Sequence, residues 1–239
     1  MEIVKKIIVI LSAIIPNLLI LKALTNVDRK TKEPFNIIFW CIFNGFIAPV
    51  ICITIQSILL KYGESIFNFF ELSNFDYAKV IILVVVEEFC KFTILYFILK
   101  KSKYFDEVYD SVIYSAIISL SFAVIETIWY INKENFFSDI LFLALSRQLT
   151  SIPLHLCCSF IMGYYFGLSK LNYPQKHLMT KSFFIPVLIH TIYNLILTYI
   201  SFNISNTTLL NTIIIFMEVS IFLIAYLYLS KVKKDNYKI

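Results

Sequence analysis

Residues 79–100 read KVIILVVVEEFCKFTILYFILK, an apolar run that carries Glu87, Glu88 and Lys91 near its centre. An α-helix rises about 1.5 Å per residue, so about 20 apolar residues cross the hydrocarbon core of a bilayer. This stretch therefore predicts a transmembrane helix that holds charged side chains inside the membrane.

The same measure applied outward from this stretch divides the chain into seven candidate spans. They lie near residues 3–24, 35–60, 79–100, 110–131, 140–168, 182–201 and 209–230. Of the 239 residues, 59% are hydrophobic and 15% are charged, which excludes a disordered tail, a disulfide-rich secreted domain and an ordinary soluble nucleotide-binding fold. The predicted fold class is all-α: a polytopic membrane helical bundle with about seven transmembrane helices, forming one integral membrane domain over residues 1–239.

The basic residues indicate topology rather than nucleic-acid binding, although the net charge is +5. Nearly all Lys and Arg residues fall in short segments between the apolar runs, and most of the 21 would share one side of the membrane. The positive-inside rule then places the N-terminus outside and the C-terminus in the cytoplasm. The apolar run after Lys5 and Lys6 continues to Leu24 without a small-residue cleavage site, so we expect a retained first span rather than a signal peptide.

The informative residues are polar side chains inside the predicted spans. They are Glu87, Glu88, Lys91, Glu126, Arg147, His155, His190 and Asn194. Five charged side chains facing lipid would cost on the order of 12 to 17 kcal/mol, as much as the whole stability of a typical domain. We therefore expect these residues to face one another inside the bundle, where an ionisable cluster is by default a functional site.

Helical spacing supports this arrangement, because residues four apart lie on one face of a helix. Glu87 and Lys91 are so spaced and are predicted to form an ion pair, and His190 and Asn194 repeat the interval. A stripe of polar and small residues in the fifth span follows the same rule, with Pro153 able to kink the helix: Arg147, Ser151, His155, Ser159 and Gly163. Counted from the span ends, the cluster is predicted to lie in the outer half of the membrane.

These residue types suit hydrolysis of a peptide bond. Two adjacent carboxylates in apolar surroundings cannot both easily carry a charge, so one acid of the Glu87 and Glu88 pair is expected to act as a base near neutral pH. A base that deprotonates water, with donors such as His190 and Asn194 aimed at a developing oxyanion, is the minimum equipment for cleaving an amide. Zinc stays open as an alternative, since two histidines and several glutamates are present, but no HExxH occurs and this mechanism needs no ion.

Four motifs together resemble the PrsW family of intramembrane proteases. They are EEFCK at 87–91, FDEVYDSVIYSAIISLSFAVIETIWY at 105–130, RQLTSIPLHLCCSFIMGYYFG at 147–167, and HTIYN at 190–194. The resemblance covers about residues 79–201, the expected protease core, in the family's order. It departs at Thr127, where the family usually has Asn.

The resemblance implies a membrane-embedded endopeptidase related to the CAAX-protease and bacteriocin-immunity superfamily. It further implies site-1 cleavage of a single-span anti-sigma factor in regulated intramembrane proteolysis, in the plasma membrane of a bacterium. The roles it implies are a general base for Glu87, a partner for Glu88, water positioning or proton handling for Glu126 and His155, oxyanion donors for His190 and Asn194, and organising charges for Lys91 and Arg147.

Other functions are compatible with an intramembrane polar cluster. One is a proton-coupled transporter in which Glu87, Glu126 and Arg147 form a relay, although we find no inverted repeat. Another is a non-enzymatic receptor or bacteriocin-immunity factor that only binds a peptide. Glu218 lies alone in the last span, and we interpret it as a packing or local polar contact.

Overall fold

In a computed structural model the chain folds into α-helices joined by short connections, with no β-strand among the residues described. The structure describes residues 11, 14–24, 34–69, 75–100, 102, 104–134, 136–171 and 176–236. The all-α class predicted from the apolar runs is confirmed.

The helices are numbered in chain order, and α2, with 35 residues, is the longest of those described. They are α1 (Ile14–Leu24), α2 (Phe35–Phe69), α3 (Phe75–Lys100), α4 (Val108–Ile131), α5 (Phe137–Leu149), α6 (Ser151–Leu171), α7 (Lys176–Asn203) and α8 (Thr207–Asn236).

Five helical stretches in the described part of the chain are long and apolar enough to cross a membrane. They are Phe35–Ile66, Val108–Ile131, Phe137–Leu171, His177–Asn203 and Thr207–Lys234. The polytopic bundle is thus confirmed, whereas the predicted total of seven spans is not. Helix α3 is long and apolar enough, but it is not counted among them because three charged side chains, Glu87, Glu88 and Lys91, lie near its centre. The predicted first span at 3–24 lies partly outside the described residues, and Lys5 and Lys6 lie wholly outside them.

The predicted fifth span, 140–168, is not one continuous helix. Helix α5 ends at Leu149, Thr150 is its C-cap, and α6 begins at Ser151. Pro153 has no amide hydrogen to donate to the carbonyl of Leu149, so an unbroken helix would lose a hydrogen bond at this point. The break therefore lies ahead of the proline, and the stripe predicted at four-residue intervals is divided between two helices.

Helix α4 forms the centre of the bundle, with α2, α3 and α6 packed around it. Nearly all of its residues from Val108 to Val124 are buried. Its first turn is capped by Asp110, whose Oδ2 accepts hydrogen bonds from the backbone amides of Asp106 and Glu107 at 3.0 and 2.8 Å. The outer helices expose large apolar side chains instead, such as Phe216, as expected for helices that face lipid.

Helices α4 and α6 approach so closely that one glycine cannot be replaced without strain. A Cβ atom on Gly163 would lie 2.5 Å from the Cα of Val112 and 2.6 Å from the carbonyl oxygen of Ser111. The hydroxyl of Ser111 also donates a 2.7 Å hydrogen bond to the carbonyl of Gly163. Backbone atoms lie on both sides of this contact, so a side chain there would push two helices apart.

We expect Gly163→Ala to lower the free energy of unfolding by about 1–3 kcal/mol, the usual cost of overpacking. Thermal unfolding of the purified protein in detergent would measure this loss. The matched control is Gly63→Ala, whose Cβ would meet side-chain atoms that can move: the ring of Phe75 at 3.3 Å and Cδ1 of Ile82 at 3.7 Å. Equal unfolding temperatures for the two variants would contradict the close helix contact.

Candidate active site

A buried ion pair on α3 anchors the polar cluster. The ammonium of Lys91 lies 2.8 Å from Oε1 of Glu88, and both side chains are almost completely buried. The predicted pair of Glu87 with Lys91 is therefore wrong. Residues three apart share a helix face as readily as residues four apart, and it is the side chain of Glu88, not that of Glu87, that turns towards Lys91.

His155 on α6 uses both ring nitrogens in contacts with charged groups. Its Nδ1 lies 2.8 Å from the ammonium of Lys91, and its Nε2 lies 3.0 Å from Oε2 of Glu126. The ammonium can only donate, so Nδ1 accepts and Nε2 carries the hydrogen that is donated to Glu126. These partners hold His155 as one neutral tautomer between a cation and an acid.

Glu126 on α4 forms the second ion pair of the cluster. Its Oε2 lies 2.8 Å from a terminal nitrogen of Arg147 on α5. The Nε of Arg147 donates to the hydroxyl of Thr127 at 3.0 Å, and its guanidinium carbon lies 4.6 Å from the ring centre of Tyr130. Thr127, the position that departs from the family pattern, thus helps to fix the arginine that faces Glu126.

His190 on α7 joins the two adjacent glutamates. Its Nδ1 lies 2.8 Å from Oε1 of Glu88, and its Nε2 lies 4.0 Å from Oε2 of Glu87. With Glu88 ionised, Nδ1 donates, so the Nε2 of a neutral ring is left as an acceptor on the side of Glu87. His190 can donate from Nε2 only when the ring is protonated.

A cavity of about 310 Å³ opens beside these groups. Helices α3, α4, α5, α6 and α7 all contribute side chains to its wall. Its polar lining consists of Glu87, Glu126, Tyr130, Arg147, Thr150, Ser151, His155, His190, Tyr193, Asn194 and Thr198. Glu88 and Lys91 do not line it. The two adjacent glutamates therefore differ: Glu88 is enclosed by its partners, while Glu87 faces open space.

The structure brings together every residue that the sequence singled out. Seven of the eight are linked by hydrogen bonds, ion pairs or the close approach of His190 to Glu87, and Asn194 lines the same cavity. Sequence reasoning missed Thr127, Tyr130 and Tyr193. Tyr130 follows Glu126 by four residues, a spacing that identifies it as a neighbour on the same face.

Glu218 on α8 forms the local polar contact that its isolated position suggested. The hydroxyl of Tyr193 donates a hydrogen bond to its Oε1. Tyr193 is buried, lines the cavity and precedes Asn194. Among the residues described, Glu218 reaches the site through Tyr193, and no sequence signal connected α8 with α7 at this point.

The fold and the site define a multi-pass membrane protein in which carboxylate, imidazole and cationic side chains from five helices surround a cavity. A family model described as PrsW family intramembrane metalloprotease matches residues 33–227. The chain therefore belongs to the PrsW family of intramembrane proteases, and it is a membrane protease.

Individual relatives agree with the family match. The Protease PrsW of Clostridioides difficile (strain 630) is 32% identical over 191 residues, 78% of each chain. The Protease PrsW of Oceanobacillus iheyensis (strain HTE831) is 32% identical over 195 residues, 79% of this chain and 82% of the relative. The Protease PrsW of Bacillus subtilis (strain 168) is 29% identical over 198 residues, with 81% and 84% coverage. No solved structure matches the chain significantly.

The family description includes a metal, and the side chains present fit one by type. Two groups of described residues place their ligand atoms within 4.8 Å of one another: Glu88, His155 and His190, and Glu87, Glu126 and His155. Carboxylate oxygen and imidazole nitrogen are ordinary zinc ligands. In the first group, Oε2 of Glu88 is also buried without a hydrogen-bond partner. The expectation that no cofactor is needed thus stays a prediction, and zinc remains open.

Proposed function

We propose that this protein is an endopeptidase that hydrolyses a peptide bond with a water molecule activated by Glu87. The proposal rests on a difference between the two adjacent glutamates in their hydrogen-bond partners. Glu88 is held by Lys91 and His190, whereas no described group forms a hydrogen bond with the carboxylate of Glu87, which lines the cavity. A general base must reach its substrate water directly, and Glu87 is free to do so.

The remaining groups support this base. Glu88 accepts a hydrogen bond from Nδ1 of His190. This contact fixes the imidazole ring so that its Nε2 lies near Glu87. When Glu87 takes a proton from water, Nε2 is the nearest imidazole acceptor to relay it, and the protonated ring then donates to the developing oxyanion. As the oxyanion collapses and the C–N bond breaks, His190 gives this proton to the nitrogen of the leaving amine. The amide of Asn194, one helical turn further along α7, is the second donor.

Glu126 serves as the second carboxylate of the cavity. Its Oε2 is engaged by Arg147 and His155. Those contacts fix its position and balance its charge, so that Glu126 can hold the attacking water opposite Glu87. In this proposal His155 acts through Glu126, and Lys91 and Arg147 are organising charges.

The substrate we propose is a single-span membrane protein, an anti-sigma factor cut at site 1 in regulated intramembrane proteolysis. The membership of the PrsW family supports this choice. The cavity extends from His190 to Thr198 on α7 and reaches Val80 near the start of α3. The positive-inside rule assigns these helix ends to the outer face of a bacterial plasma membrane, with the N-terminus outside and the C-terminus in the cytoplasm.

Mass spectrometry of a reconstituted reaction tests the proposal. The purified protein and a single-span anti-sigma factor from the same host would be placed in one proteoliposome preparation. We expect two products whose masses add up to the substrate plus one water. A substrate that stays intact with well-folded protein would contradict the proposal.

Removal of metal provides a separate test. When bound, a zinc ion would supply a water that loses its proton near neutral pH, and Glu87, Glu126 and His155 are the cavity-lining residues that would hold it. Arg147 already places positive charge 2.8 Å from Glu126, and the ammonium of Lys91 at Nδ1 leaves the ring hydrogen of His155 on Nε2, the nitrogen that faces Glu126. We therefore expect the initial cleavage rate to survive dialysis against a chelator. A loss that added zinc restores would contradict a purely glutamate-centred mechanism.

A further inference from the structure

A second cavity, of about 370 Å³, lies between α2, α3 and α4. It shares four lining residues with the first cavity: Leu83, Glu87, Glu126 and Tyr130. The two cavities therefore meet at the two carboxylates that the proposed reaction uses. A polypeptide bound in both cavities would pass Glu87 and Glu126 at the point where the cavities meet.

The second cavity is mostly apolar. Its buried apolar lining residues are Pro49, Cys52 and Phe122, and its wall continues along α4 to Tyr130 and then to Lys133 in the turn that follows. At about 1.5 Å per residue, the distance along α4 from Phe122 to Tyr130 is about 12 Å. Gln56 in the wall donates to the carbonyl of Leu83 at 3.1 Å, which ties α2 to the turn of α3 just before Glu87.

The mouth of this cavity is positively charged. Lys79 and Lys133 both line it and are exposed, and the ammonium of Lys133 lies 5.4 and 5.2 Å from the ring centres of Trp129 and Tyr130. In the part of the chain that the structure describes, no carboxylate forms an ion pair with either lysine. Two ammonium groups therefore stand at the open end, where an anionic group would be attracted.

We propose that this second cavity binds the substrate polypeptide on one side of the scissile bond, taking an apolar side chain inside and a carboxylate at its mouth. Lys79 is about 12 Å along α3 from Glu87, and Lys133, in the turn that follows α4, lies seven residues beyond Glu126. An extended peptide covers about 3.3 Å per residue, so the acidic residue stands about three or four positions from the scissile bond. This inference rests on the proposed protease function and adds a substrate sequence preference to it.

A peptide fits the whole cavity better than a phospholipid does. The phosphate of a lipid headgroup would also pair with the two lysines. Its acyl chain, however, would then end against the carboxylates of Glu87 and Glu126, which offer an alkyl group no favourable contact. A peptide brings amide groups that form hydrogen bonds at that end.

Photo-crosslinking in proteoliposomes tests this inference without cleavage. The probe is a synthetic single-span peptide of about 20 Leu and Ala residues. A benzoylphenylalanine follows the span at one end, and two Asp residues stand three and four positions beyond the benzoylphenylalanine. A twin peptide carries two Lys residues in place of the Asp pair. We expect the acidic probe to label the α2 wall of the cavity, around Ile53 and Ser57. Its labelling should be roughly fivefold stronger than that of the basic twin, which is the effect expected of two exposed charge pairs.

Charge reversal supplies the decisive comparison. In the Lys79→Glu/Lys133→Glu variant the preference should invert in favour of the basic twin. The control is Lys61→Glu, which changes an exposed lysine on α2 next to the lining residue Leu60 and should leave the preference intact. Equal labelling by both probes, an unchanged preference in the double variant, or labelling outside the cavity would overturn the inference. So would loss of labelling when phosphatidylglycerol is added, since the cavity would then be a lipid site.

Cleavage of the anti-sigma substrate, measured on the same preparations, separates the two proposals. Labelling of the cavity without any cleavage would support the binding site and contradict the protease mechanism. Normal cleavage without charge-dependent labelling would contradict the binding site alone.

Discussion

The Glu87→Gln variant is expected to lose cleavage by a factor of about 10² to 10⁴ while keeping the wild-type unfolding temperature. Glutamine has the size of glutamate but cannot accept a proton, and general-base catalysis contributes about this factor. The fold should be unaffected, because no described group depends on a hydrogen bond with this carboxylate. Initial rates in proteoliposomes and thermal unfolding in detergent, measured on one preparation, would check both parts.

The control for this prediction is Glu64→Gln, an exposed glutamate on α2 that lines neither cavity. It should cleave at the wild-type rate. A Glu87→Gln variant that retains more than about a tenth of the activity would rule out Glu87 as the base, since the smallest expected effect is about a hundredfold.

The Lys91→Met variant is expected to be destabilised by about 3–5 kcal/mol, because it leaves the buried carboxylate of Glu88 without its cation. It also removes the donor to Nδ1 of His155, so activity should fall with stability. The double variant Glu88→Gln/Lys91→Met removes both charges and should recover more than half of the lost stability. Unfolding of the two single variants and the double variant would measure the coupling.

Lys100→Met is the matched control, since this lysine lies exposed at the end of α3. We expect a change below about 1 kcal/mol, the usual effect of a surface charge. If Lys91→Met is no more destabilised than this control, the Lys91 and Glu88 pair does not anchor the cluster.

The members of the site could be predicted from the sequence because charge inside a membrane is expensive. Glu87, Glu126 and Arg147 interrupt apolar runs. Placing their charges against lipid would cost so much free energy that they are expected to face one another inside the bundle. Their neighbours on each helix followed from spacing of three or four residues. The membrane helices followed from hydropathy in the same way.

The pairing inside the site could not be predicted. Adjacent residues on a helix point about 100° apart and the rotation of α3 is not given by the sequence, so the sequence cannot tell whether Glu87 or Glu88 faces the cavity. Lys91 lies within four residues of both, so spacing alone allows either ion pair. The contact between Tyr193 and Glu218 joins helices that lie next to each other only in the folded chain. The sequence predicts a kink beside His155, whereas the helix breaks ahead of Pro153, because Pro153 has no amide hydrogen to donate to the carbonyl of Leu149.

Co-expression in the bacterial host tests the central claim most directly. Wild type and Glu87→Gln would each be expressed with a doubly tagged single-span anti-sigma factor, and the fragments read by immunoblot. We expect a shortened, membrane-anchored fragment with wild type and only intact substrate with Glu87→Gln at equal expression. The same fragment in both lanes would contradict catalysis by Glu87, and intact substrate in both would contradict cleavage of this class of protein.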